Sequence, residues 1–80
     1  MSRAHWTDET DREADVLFRT FSDAEIRRRQ DLAGQQLARA SALYDRNPGW
    51  YGIAVANLQR MQDALTREML RRTEDQEESP

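Results

Sequence analysis

The sequence predicts an all-α fold, and three observations carry that prediction. Two long stretches, about 23–45 and 48–72, place apolar residues at alternating steps of four and three, the rhythm of a helical seam. The turn-forming residues gather between them, in Asn47-Pro48-Gly49-Trp50-Tyr51-Gly52. No stretch alternates apolar and polar residues in the manner of a half-buried strand. The expected architecture is an antiparallel two-helix hairpin with a short N-terminal helix, about 8–20, dimerising into a four-helix-type bundle.

Each element has its own local reason. Residues 1–7 are expected to be flexible. Thr7 then offers an N-cap, followed by acidic residues, and Ala14, Leu17, Phe18 and Phe21 have helical spacing. In the run Phe21-Ser22-Asp23-Ala24-Glu25-Ile26, Ser22 and Glu25 have the spacing of a capping box, and Phe21 and Ile26 that of a hydrophobic staple. This predicts a helix over about 23–45. Asn47 is the next cap, with Pro48 at the first helical position, where its missing N–H costs nothing. Gly49 and Gly52 weaken the first turn of the helix that runs from there to about 72. The remaining residues, 73–80, carry no apolar side chain and are expected to be a disordered acidic tail. Residues 1–72 thus form one small helical domain.

Composition narrows the function. An 80-residue chain without cysteine has no disulfide to reinforce a marginal core, which favours association with another chain. The net charge is −3, from 15 acidic and 12 basic residues, and every base is an arginine. There is no thiolate, no paired histidine, no glycine-rich phosphate loop and no nucleophile turn, so neither an enzyme nor a metal or cofactor site is expected. The single histidine, His5, stands near Asp8 and Glu9, a group read as solvated charge. No apolar run approaches the ~20 residues of a membrane span, and no apolar leader follows Met1, so the expected location is the cytoplasm.

The two long stretches can be matched layer by layer. Ile26, Gln30, Ala33, Leu37, Ala40 and Tyr44 advance by 4, 3, 4, 3, 4, and Tyr51, Val55, Leu58, Gln62, Leu65 and Met69 do the same. A tight turn pairs residues whose numbers sum to 95, from Tyr44 with Tyr51 to Ile26 with Met69. The layers holding Gln30 and Gln62 are polar on one side, with the glutamines expected at the seam edge.

Beside the seam lies a second apolar strip, which includes Leu32 and Leu43 on one helix and Ala54, Met61 and Leu65 on the other. The opposite face is small or polar. This strip needs a cover. One cover is the N-terminal helix folded back on that face as a three-helix unit; because this short helix spans only part of a hairpin roughly 35 Å long, a homodimer is favoured, with the N-terminal segments packing at its ends. Leu32, Leu43, Tyr44, Trp50, Tyr51, Ala54 and Met61 are therefore the candidate dimer or partner surface. Trp50 and Tyr51 either cap the bundle and meet the dimer mate or anchor another protein, as such side chains often do.

The basic triplet Arg27-Arg28-Arg29 and the pair Arg71-Arg72 fall at the same end of the hairpin and are the candidate phosphate contacts. Asp23, Glu25, Asp31, Asp63 and Glu68 stand at i, i+3 or i, i+4 spacing to these arginines and to Arg67, which predicts local neutralisation. Phosphate binding requires uncompensated charge. The favoured function is a small non-enzymatic helical protein-interaction module, an adaptor or regulator. The alternative is a nucleic-acid-associated protein using the arginine-rich end.

Overall fold

The computed structural model describes residues 5–78, and the side chains of residues 5–75. Among the described residues all regular structure is helical: α1 (Asp8–Phe18), α2 (Asp23–Leu43), a 3₁₀ turn (Tyr44–Arg46) and α3 (Pro48–Glu78). The molecule is long and thin, 53 × 24 × 15 Å.

The helix starts follow the local chemistry. The Thr7 hydroxyl accepts the Thr10 N–H at 3.1 Å, the Ser22 hydroxyl accepts the Glu25 N–H at 3.1 Å, and the Asn47 side chain accepts the Trp50 N–H at 3.2 Å. Each satisfies an amide that has no partner within its own helix. The Glu25 carboxylate takes Arg28 and Arg29 as its partners, at 2.8 and 2.9 Å.

The ends depart from expectation more than the starts do. α1 closes at Phe18, two residues early, where Thr20 turns both its N–H and its hydroxyl onto the Leu17 carbonyl. α2 closes at Leu43 and the chain tightens into the 3₁₀ turn. Pro48 disfavours helical backbone at the residue before it, and Asn47 adopts φ −154°, ψ 82°. The expected disordered tail is corrected over 73–78, where α3 continues to Glu78. Arg71 pairs with Asp75 at 3.0 Å and the Thr73 hydroxyl bonds back to the Met69 carbonyl, so polar i, i+4 contacts carry the helix where apolar ones stop. Residues 79–80, like residues 1–4, lie outside the described residues. The expected flexibility of 1–7 is corrected at Trp6 and Thr7, both of which are held.

Helix α1 and the residues just before it lie along the middle of α3, from Asn57 to Arg72. The Trp6 N–H donates to the Asn57 side chain at 2.8 Å, Asp8 pairs with Arg60 at 3.5 Å, and Asp11 and Asp15 pair with Arg67 at 3.0 and 3.1 Å. Farther on, Arg72 donates to the Phe18 carbonyl at 3.0 Å. Numbers rise together in the two helices, so they are parallel. Beneath these polar contacts sits the core of Ala14, Phe18, Ile26, Ala64 and Leu65, with Trp6, Phe21, Met61 and Met69 packed against it. The N-terminal helix thus packs on its own chain, as in the three-helix alternative.

Helix α3 meets α2 at one end and in the middle, and the 3₁₀ turn at the other end. Asp23 pairs with Arg72 at 2.6 Å. A Cβ built on Gly34 would stand 3.6 Å from the Gln62 side chain, and one on Gly52 would stand 3.4 Å from the Tyr44 ring. The Tyr44 ring thus lies at ordinary van der Waals distance from where a side chain on residue 52 would begin.

Candidate functional site

The face that α1 covers does not end where α1 ends. Ala54, Leu58, Met61 and Leu65 follow one another on α3 at steps of four, three and four, and so share a face. Leu65 belongs to the core that holds Ala14 and Phe18 of α1, and Met61 packs against that core. Ala54 lies turnward of Asn57, the residue that the chain reaches at Trp6, and Leu58 lies beside it. There the face opens into a groove of about 390 Å³. Ala40 and Leu43 of α2 and Trp50, Tyr51, Ala54 and Leu58 of α3 line it, together with Gln36 and Arg39.

Four of the seven expected surface residues, Leu43, Trp50, Tyr51 and Ala54, meet in this groove. Trp50 remains 38% exposed there, held by its backbone N–H on Asn47. The other three are elsewhere. Leu32, 50% exposed, lies among Arg28, Arg29, Asp31 and Gln35 on the outer side of α2. Tyr44, 45% exposed, packs on Gly52 and does not line the groove. Met61 is partly buried and packs against the core that includes Ala14 and Phe18 of α1.

A second apolar surface was not anticipated. Val16 and Leu17 on α1 are 64% and 53% exposed, in a shallow depression shared with Glu9, Arg12, Glu13 and Thr20. Leu17 was expected on the inner face with Ala14 and Phe18. The signal was the run Val16-Leu17-Phe18: consecutive helical residues point about 100° apart, so three together cannot all face one core.

The arginine-rich end is an ion-pair network. Arg28 and Arg29 share Glu25, and the Arg29 guanidinium also sits 4.9 Å from the centre of the Phe21 ring. Arg71 and Arg72 both reach Glu68, at 2.6 Å each, and the Glu68 side chain is buried. Arg72 bonds in addition to Asp23 and to the carbonyls of Phe18 and Phe21, which ties the α1–α2 connection to α3. Two local pairings are corrected. Arg67 reaches across to Asp11 and Asp15 where Asp63 was expected, and Asp23 takes Arg72 where Arg27 was expected. A helical neighbour is close in sequence, but packing brings a better-placed carboxylate from another helix.

These pairs shift the acids in one direction. Hydrogen bonds from Arg71 and then Arg72 hold Glu68 below the usual carboxylate range. Arg28 and then Arg29 do the same for Glu25. The Trp6 indole N–H, 3.0 Å from the Asp11 carboxylate, lowers Asp11 with help from Arg67. Acids held ionised by arginine are structural anchors rather than proton donors. Of the five arginines offered as phosphate contacts, Arg28, Arg29, Arg71 and Arg72 are engaged with carboxylates, and Arg27 is exposed.

Among the described residues no helix is long and apolar enough to cross a membrane. Comparison with protein-family models, with curated proteins and with solved structures finds no match to this chain.

Proposed function

We propose that the chain is a non-enzymatic helical interaction module, an adaptor or regulator, built as an antiparallel hairpin of α2 and α3 and working as a homodimer. One observation carries this reading: the turn-end groove of Leu43, Trp50, Tyr51 and Ala54, an apolar surface that the chain's own α1 stops short of covering. The contacts of Asp23 with Arg72 at one end and of Tyr44 with Gly52 at the other support the hairpin. The occupant proposed for the groove is a second copy, which suits a chain too small to bury a large core alone.

The alternative of a nucleic-acid-associated protein is weakened by the ion pairs at the arginine-rich end. A phosphate-binding surface needs charge that its own carboxylates have not already taken. Sedimentation equilibrium at micromolar concentration is the direct test, with twice the chain mass expected. A folded monomer at every concentration removes the homodimer. Binding to a duplex DNA probe that falls steeply with added salt would revive the alternative.

A further inference from the structure

We infer that the two copies dock reciprocally, the outer face of α1 from each chain filling the turn-end groove of the other. The inference rests on the homodimer reading above and adds the surface that makes the contact. Shape, length and charge each point to it.

Shape comes from the partial cover. Helix α1 stands on the face of α3 that holds Met61 and Leu65; it begins at Asp8, at the level of Arg60, and the preceding Trp6 reaches Asn57. Turnward of it the same face drops to the groove around Ala54. The molecule therefore presents a step one helix high. Two such steps, related by a twofold that sets the long axes antiparallel, place each raised helix over the other's lowered groove. Such an interface is isologous and closed, so it forms a dimer and not a filament.

Length agrees. The outer face of α1 that carries the apolar patch runs from Glu9 to Leu17, and the α3 wall of the groove runs from Trp50 to Leu58. Both are eight residue steps, about 12 Å at the helical rise. Val16 and Leu17, the most exposed apolar pair of α1, are the groups that gain most from burial against Leu43, Trp50 and Ala54.

Charge divides in the same way. The inward acids of α1 are already neutralised: Asp8 by Arg60, and Asp11 and Asp15 by Arg67. Its outward acids, Glu9 and Glu13, flank the Val16–Leu17 patch and have no ion pair among the described residues; Arg12 is the one base beside them. The groove is lined by one charged residue, Arg39, also without an ion pair among the described residues, and by no acid. Charge of opposite sign on the rims of two apolar surfaces fixes orientation and suppresses other pairings.

The chain has no cysteine, so single cysteines report contact without background. A mixture of full-length Leu17→Cys and Leu43→Cys chains, oxidised at micromolar concentration, is expected to give mainly the Leu17–Leu43 cross-linked heterodimer. Charge reversal supplies a second arm at exposed positions that leave folding intact. Arg39→Glu alone and Glu13→Arg alone are each expected to weaken the dimer about tenfold, since like charges brought together are unfavourable. The chain carrying both changes is expected to recover. A dimer in which Leu43→Cys cross-links only to its own counterpart, and in which the reversed pair fails to recover, overturns reciprocal docking while leaving the homodimer standing. A monomer overturns both.

Discussion

At the end of the molecule where α1 lies, Ile26 and Leu65 have no exposed surface, whereas at the turn end Trp50 and Tyr44 stay open to solvent. The first end is enclosed by its own chain: Phe18 and Phe21 pack with ring centres 5.6 Å apart, and Glu68 and Arg72 fasten three segments together. The second end has the same kinds of side chain, large aromatics beside leucine and alanine, but no third helix to cover them. The difference teaches that aromatic content alone does not locate a core. What decides is whether a further element arrives, and here an 11-residue α1 reaches along only part of a 31-residue α3.

Truncation of the buried leucine is the strongest way to break that comparison. Leu65→Ala is expected to cost about 3–4 kcal/mol, because a fully covered side chain leaves both a lost transfer term and a cavity. Leu43→Ala at the half-covered turn end is expected to cost about 1 kcal/mol, in proportion to its smaller burial. Urea melts of both variants, compared below the dimer concentration range, check the contrast. Equal costs would mean that the two ends are packed alike.

Acid sensitivity is expected to belong to the enclosed end. Glu68→Ala removes the carboxylate that Arg71 and Arg72 share but leaves Arg71 on Asp75 and Arg72 on Asp23 and two carbonyls, so it is expected to cost about 2 kcal/mol at neutral pH, the usual worth of hydrogen bonds to a charged group. The folded-state pKa of Glu68 is depressed below its ordinary 4.5, and that of Asp11 below 3.8. Their stabilisation is therefore present above those ordinary values and is lost as pH falls through the depressed ones. Thermal melts from pH 7 down to pH 2 should show this loss in the parent chain and a shallower one in Glu68→Ala. An unchanged acid limb would place the linkage elsewhere.

Trp6→Phe is a smaller and more local change. It keeps an aromatic ring against the core but removes the indole N–H that Asp11 accepts at 3.0 Å. A loss of about 1 kcal/mol is expected, the usual net worth of one hydrogen bond. Titration of the Asp11 carboxyl by NMR is expected to move up toward the ordinary range, because the indole is the largest cause of its depression. An Asp11 that titrates unchanged would assign its shift to Arg67 and Arg60.

Local signals were legible and long-range placements were not. Thr7, Ser22 and Asn47 each announce a helix start, because a cap is settled within three residues. The groove residues Leu43, Trp50, Tyr51 and Ala54 were legible as a group, because the positions on either side of one turn stay close whatever else the chain does. The placement of α1 was not legible: nothing in residues 8–20 alone says whether their apolar stripe meets α3 of the same chain or of another. Arg72 was legible only as a partner of Glu68 and a candidate phosphate contact, for a related reason. Its decisive partners include the backbone carbonyls of Phe18 and Phe21, which every sequence offers equally. Glu68 and Arg72 do carry the i, i+4 spacing, but that spacing does not distinguish a solvated pair from a buried clamp.

Trp50→Ala is expected to have the smallest effect on the folded monomer and a decisive one on association. Trp50 is open over more than a third of its surface, and its link to the helix cap runs through the backbone N–H, which alanine keeps. The monomer is therefore expected to lose about 1 kcal/mol or less, close to the range of surface changes. A dimer is stabilised by its own concentration, so the parent chain should melt at a higher temperature as concentration rises. Trp50→Ala removes the largest side chain of the groove, and its melting temperature is expected to be the same at every concentration. Fluorescence separates the causes in a Trp6→Phe background, where Trp50 is the remaining indole. Dilution should then shift the emission to the red and admit a soluble quencher as the second copy leaves. An emission that stays blue and protected at the lowest concentration would mean that the chain covers Trp50 by itself, and the two ends of the molecule would then be alike.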